Sequence, residues 1–163
     1  MAKTSSEPRE PGIGSDRSLL VDCLLAHAFV NLCLVADVRA PLEAHGLGRV
    51  HHRILFFVAH APGITVNELL ELMRVSHQSM RGPMRQLIAN GYLMTRPCEE
   101  DRRVKRNLLS AKGKALIERL SNAQFRRIER AFAAAGADAV KGFFKVHASL
   151  LDPSDLEWIG RMT

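Results

Sequence analysis

Cysteine is scarce: the three thiols, at positions 23, 33 and 98, are odd in number and include no C-x-x-C pair. That excludes a disulfide framework and a zinc knuckle, and leaves reduced thiols as the expectation. No uninterrupted apolar run reaches the roughly 18 residues that span a bilayer, so no membrane partner is expected. The opening stretch 1–17 is polar, with Pro8, Pro11 and three serines, which is not a signal-peptide pattern, so the expected location is cytoplasmic. Catalytic signatures are missing too. No Ser-His-Asp set, paired carboxylates, glycine-rich phosphate loop or metal motif stands in a suitable setting, and the chain is expected to be no enzyme and to use no cofactor. Seven histidines are scattered, and the adjacent His51 and His52 would point about 100° apart on a helix, so no metal site is expected. Neither internal repeats nor low-complexity tracts occur.

What is present is an ordinary globular composition. The 163 residues are 47% apolar and 25% charged, enough for one domain with a real core. Lys and Arg outnumber Asp and Glu by 23 to 17, a formal charge of +6. Such a balance favours a polyanionic partner, although a merely basic soluble protein carries the same charge.

Residues 1–16 read as a flexible arm. An apolar helical pattern over 18–38 runs through Leu19, Leu20, Cys23, Leu24, Val30 and Leu34, and a helix so apolar needs cover on more than one side. Gly46-Leu47-Gly48 breaks the chain before a second helix over 49–60, which Pro62-Gly63 ends. Thr65 and Glu68 have the spacing of a capping box, opening a short helix over 66–73 whose Leu69 and Leu72 face inward. Ser76 can cap the next helix, and Asn90-Gly91 supplies its stop. Only Arg74-Val75-Ser76 separates these two helices, so they must cross steeply, as in a helix-turn-helix. Two short β-like runs, 92–96 and 104–109, flank the charged loop Asp101-Arg102-Arg103 and read as a hairpin. A hairpin set against a helix-turn-helix is a winged helix, a shape that grips DNA. From Ser110 a long helix continues to about 134, and Gly136 separates it from a final amphipathic helix over 137–151 and a short tail.

The ordered set Thr65-x-x-Glu68-Leu69, Val75-Ser76-x-Gln78-Ser79, Leu87-x-x-x-Gly91-Tyr92-Leu93, Asp101-Arg102-Arg103 and Leu109-Ser110-x-x-Gly113 resembles the MarR family of bacterial transcription regulators. The match covers roughly 47–116 in order and spacing; the flanking helices match in pattern only. The resemblance implies a mainly α fold with a small β-hairpin wing, a homodimer and binding to pseudo-palindromic double-stranded DNA operators. It further implies a repressor released by a small aromatic or carboxylated effector or, alternatively, by thiol oxidation. A non-specific architectural DNA binder is the other alternative. The expected organisation is one domain over 17–163, with a winged lobe at 47–110 and dimerisation helices at 17–46 and 111–163. Independently of the resemblance, those helices are too apolar to bury themselves alone, and two copies could cover each other around a two-fold axis.

Ser76, His77, Gln78, Ser79 and Arg81 open the recognition helix and suit base edges and phosphates, Gln pairing adenine and Arg guanine bidentately. Arg85 is expected on phosphate. At the wing tip either Arg102 or Arg103 can enter a narrow minor groove, and by the resemblance Asp101 pairs with Arg103 to fix the wing. Gly82-Pro83 departs from the family pattern: Pro83 deletes a backbone bond to Ser79, so a kink is expected. The family's effector crevice corresponds to the start of the second helix and the facing first helix, with Arg49, His51, His52 and Phe56 as candidates. Cys23 sits where the peroxide-sensing branch of the family keeps its thiol, but the accompanying tyrosines are missing, Tyr92 being the only one. A buried, inert Cys23 is therefore the expectation.

Overall fold

A computed structural model describes residues 16–99 and 101–162. The arm expected at 1–16 therefore lies outside the described residues except for Asp16, whose carboxylate caps the first helix by accepting from the Ser18 amide at 2.9 Å. The elements in order are α1 (Arg17–Glu43), α2 (Arg49–His60), α3 (Val66–Met73), α4 (His77–Ala89), β1 (Leu93–Pro97), β2 (Lys105–Leu109), α5 (Ala111–Ala135), α6 (Ala137–Leu150) and α7 (Pro153–Met162). The strands pair antiparallel with Leu93 opposite Leu109, and Thr65 bridges Arg106 at the outer edge. The fold is thus mainly α with a two-stranded wing.

One hydrophobic core serves the middle of the chain. Ile54, Leu55 and Val58 of α2, Leu69 of α3, Met80 and Leu87 of α4, Leu93 of β1 and Leu116 and Leu120 of α5 are all buried within it. The local signals account for these elements. Thr65 Oγ1 accepts from the Glu68 amide while the Glu68 carboxylate accepts from the Thr65 amide at 2.8 Å, closing the capping box. Arg74 takes the left-handed conformation (φ 51°) that ends α3 and turns the chain into α4.

Two expectations need correction. α1 does not stop at 38: Val38 and Leu42, one turn apart, are both buried and hold the chain helical through Pro41, whose missing amide leaves the Asp37 carbonyl without its helical donor. The residues after 151 are no tail but a helix, with Pro153 at a first-turn position where its missing amide costs nothing. This α7 folds back onto the core through buried Trp158, while Arg161 lies 4.1 Å over the Trp158 ring and reaches Glu68. Arg74 adds ion pairs to Asp155 at 2.8 Å and Asp152 at 3.3 Å. Although no uninterrupted apolar run reaches the roughly 18 residues that span a bilayer, α1 as a whole is long and apolar enough by length and composition to cross a membrane. In the single chain Leu20, Leu24, Phe29 and Val30 on α1, and Phe143, Phe144 and Leu150 on α6, stand exposed.

Pro83 lies inside a continuous α4. Met80, Met84 and Leu87 are buried on either side of it, so the inward face is the same before and after the proline. Gly82 helps, because the residue before a proline is pushed out of the α region partly by its own Cβ, and glycine has none.

Candidate DNA interface

The α4 helix divides cleanly into two faces. Met80, Met84 and Leu87 anchor it to the core, whereas Ser76, His77, Gln78, Ser79, Arg81 and Arg85 are all exposed. His77, Arg81 and Arg85 recur every four residues and therefore share one outward face, with Gln78 beside them. Ser76 Oγ accepts from the Ser79 amide at 3.3 Å, and the Ser79 hydroxyl donates back to the Ser76 carbonyl at 2.8 Å. Both hydroxyls are thus partly committed to the cap, and the first-turn amides of His77 and Gln78, which have no acceptor within a helix, are left pointing forward as an anion-accepting end.

The wing is held at base and tip. At the tip the Asp101 carboxylate accepts from the Arg103 amide at 2.9 Å, and the Arg103 side chain, 96% exposed, lies 3.8 Å from the same oxygen. The Val104 amide donates to the Asp101 carbonyl at 2.9 Å, closing the turn, and Arg102 projects exposed beside it. At the base, Asn107 is fully buried and donates from its side-chain amide to the Ile64 carbonyl at 2.7 Å, while its backbone bonds Ile64 and Gly63. β2 is thereby tied to the loop ahead of α3, fixing the wing relative to the helix-turn-helix. A second tie runs from Arg119 to His45 Nε2 (2.8 Å). An arginine only donates, so His45 Nδ1 carries the proton and donates to the Tyr92 hydroxyl at 3.1 Å. Lys112 sits 4.3 Å over the Tyr92 ring and bonds the Asn90 carbonyl. Neither Asn107 nor His45 was singled out from sequence, because an Asn in an alternating strand and a His near a glycine turn carry no local pattern.

The four residues expected at an effector crevice are not brought together. Arg49 turns to α1 and donates to Asn31 at 3.0 Å. His51 Nδ1 accepts from the Gly48 amide at 3.0 Å, so its Nε2 carries the proton and donates to Gln86 on α4, also at 3.0 Å. Gln86 in turn donates to the Gly46 carbonyl at 2.8 Å, so His51 serves as a strut between the α2 cap and α4. His52 and Phe56 do meet, their rings 6.4 Å apart, in a cleft of about 180 Å³ with Arg53, Phe57 and Gln124. Burial holds the His52 imidazole below the usual histidine range, so it faces the cleft as a neutral ring. A larger cavity, about 570 Å³, lies at the other end of α2, walled by Val58, Met94, Leu108, Ile117 and Phe125 and fringed by Arg96 and Lys114. Cys23 is exposed in the single chain, not buried as expected, with its sulfur 3.7 Å from His27 Nδ1.

A sequence model of the MarR family matches residues 45–104, which span α2 to the wing tip. The HTH-type transcriptional regulator PetP of Rhodobacter capsulatus is 38% identical over 119 residues, covering 73% of this chain and 72% of that protein. Among solved structures, one MarR-family transcription regulator superposes with a TM-score of 0.70 at 18% identity, covering 83% of this chain and 89% of its own. Another, from Silicibacter pomeroyi, has a TM-score of 0.67 at 19% identity, covering 77% and 85%. At such identities the structural likenesses speak for the fold, and the 38% relative speaks for kinship.

Proposed function

The chain belongs to the MarR family of DNA-binding transcription regulators, and from that premise we propose that it works as a homodimeric, effector-responsive repressor on pseudo-palindromic operators. The observation that carries the reading is the division of α4, with an exposed row of polar and cationic side chains mounted on a buried Met80-Met84-Leu87 face, next to an exposed arginine pair on a braced wing. In this reading Gln78, Ser79 and Arg81 read base edges, and the Ser76–His77 end and Arg85 take phosphate. The arginines at 102 and 103 serve the minor groove and its flanking phosphates, while Asp101 sets the wing. Dimerisation is supported by the apolar side chains that α1 and α6 leave uncovered, Leu24 at 72% and Leu150 at 62% exposure among them. A second copy of the same faces would cover them in a closed two-fold contact. The same cover accounts for the hydropathy of α1 without a bilayer.

The effector reading rests on the mainly apolar cleft of His52, Phe56 and Phe57 between α2 and α5, to which Arg53 adds a cation, with Arg49 near the α1 face able to exchange Asn31 for a carboxylate. Such a ligand acts only as far as it binds the DNA-free spacing of the lobes more tightly, and a 10-fold loss of operator affinity needs about 1.4 kcal/mol of such preference. The test is footprinting on the gene's own promoter together with sedimentation analysis. Two protected half-sites about one helical turn apart and a dimer at micromolar concentration are expected. A folded monomer that protects DNA without sequence preference would sink the proposal in favour of an architectural binder. Titrating aromatic acids and peroxide in parallel, with Cys23→Ser as the control, separates the effector from a thiol switch.

A further inference from the structure

His27 on α1 and His147 on α6, 120 residues apart in sequence, bring their Nε2 atoms to 3.2 Å. The other nitrogen of each ring is already placed. His27 Nδ1 stands 2.9 Å from the Cys23 carbonyl oxygen, and His147 Nδ1 stands 2.8 Å from the Phe143 carbonyl oxygen. A carbonyl oxygen only accepts, so each Nδ1 must carry a proton. The Cys23 sulfur, 3.7 Å from the same nitrogen, can only share that proton as a weak acceptor, because the carbonyl at 2.9 Å already requires Nδ1 to donate. A neutral imidazole holds one proton. With each ring in its neutral form, both Nε2 atoms present bare lone pairs 3.2 Å apart. Ring centroids 5.1 Å apart, well beyond the nitrogen separation, mean that the rings meet tip to tip and not face to face.

We propose that His27 and His147 form a binding site for a first-row divalent transition metal of the zinc class. With both nitrogens at about 2.0–2.1 Å from an ion, a separation of 3.2 Å sets an N–metal–N angle of roughly 100–106°, close to tetrahedral. Bonding of the outer nitrogen to a carbonyl is also the usual support for a metal-binding histidine, since it fixes the ring and raises the basicity of the free nitrogen. Phe143, stacked 3.7 Å from the His147 ring, holds that imidazole from the side. Among the described residues no third His, Cys, Asp or Glu joins the pair, so the remaining positions are open to water or to donors of a second copy. Since α6 packs mainly on α5, an ion here would tie the C-terminal part of the chain to α1. The site stands apart from the DNA-reading face and does not depend on the operator reading.

The experiment uses the tag-free full chain stripped with a chelator. It measures Zn²⁺ by competition with a chromophoric chelator and Co²⁺ by its visible absorption, in the wild type and in His27→Ala, His147→Ala and His60→Ala. His60 is the control, because its Nδ1 also bonds the carbonyl one turn back while its ring stacks on Phe56. Binding of up to one ion per chain is expected, weakened at least tenfold by either His27→Ala or His147→Ala and unchanged by His60→Ala. Thermal melts of the metal-free variants matching the wild type show that the loss is not misfolding, and His27→Gln replaces any variant that fails that check. Unchanged binding in both single variants overturns the proposal. So does a wild type that takes up no metal, including one in which a shared proton between the two rings is the only occupant detected by NMR.

Discussion

Replacing Gly113 by alanine sets two effects of opposite sign against each other. Gly113 is the third residue of α5, where alanine would ordinarily gain up to about 1 kcal/mol of helix propensity. Here, however, the added Cβ would collide with the Tyr92 carbonyl oxygen, lie 3.1 Å from the carbon of the same carbonyl, and press on Leu109 at 3.4 Å. The oxygen cannot simply withdraw, because it accepts from the Ser110 amide at 3.0 Å, while the hydroxyl of the same residue, which caps α5, gives its proton to the neighbouring Gly91 carbonyl at 2.6 Å. Forcing an extra methyl into packed structure costs about 1–3 kcal/mol, and giving up the Ser110 amide bond would add about 1 kcal/mol. The clash outweighs the propensity gain, and a net loss of about 2 kcal/mol is expected. For a chain of this size that is roughly a 4–8 °C fall in Tm. Since Tyr92 begins the hairpin, the wing should shift with it, and operator affinity should drop while the dimer persists. The assay is thermal and urea unfolding of Gly113→Ala beside the wild type, followed by a DNA titration. A variant as stable as the wild type, or more stable, would show that the close approach of α5 to the hairpin is not what requires glycine there.

Arg102→Ala and Arg103→Ala should each weaken operator binding, and removing one arginine–phosphate pairing should flatten the salt dependence by about 0.9 in log–log slope. Equal slopes in a titration across salt concentrations would remove the wing from the interface. Pro83→Ala restores a backbone donor to the Ser79 carbonyl and should stabilise the fold, whereas Gly82→Ala should destabilise only while Pro83 is present, which chemical unfolding of the four combinations will read. The folded His52 takes a proton less readily than the unfolded chain, so its contribution is complete above the ordinary histidine value of 6.5 and is lost as pH falls below it. His52→Phe should blunt that slope in stability measured from pH 7 to 5. A second loss is expected below about pH 4. There the Arg127 guanidinium, hydrogen-bonded to Asp37 at 2.6 and 2.7 Å, holds that carboxyl low. Burial alone would push Glu68 up, but the Thr65 bonds and Arg161 outweigh it and hold it low as well. Asp37→Asn should reduce this acid step, and an unchanged acid profile would contradict the pairing.

Elements whose causes are local were legible in the sequence. The capping box at Thr65 and Glu68, the Ser76 and Ser110 caps, the glycine stops at 91 and 136 and the charged turn at 101–103 act within a few residues, and each appears where its pattern lies. The polar and cationic side chains named from the sequence at the start of α4 are exposed, whereas the buried Met80-Met84-Leu87 face behind them was not read from it. What the sequence left out was decided by partners far along the chain. α1 continues through Pro41 because the core buries Val38 and Leu42 on both sides of it, and 153–162 is a helix because Trp158 finds a place beside α3. His51 is a strut between the α2 cap and α4 only because Gln86 comes to stand opposite it. Hydrogen bonding and packing between distant segments carry no periodicity in the chain. A buried Asn107 under the wing and two imidazoles converging across 120 residues therefore exist only once the helices have crossed.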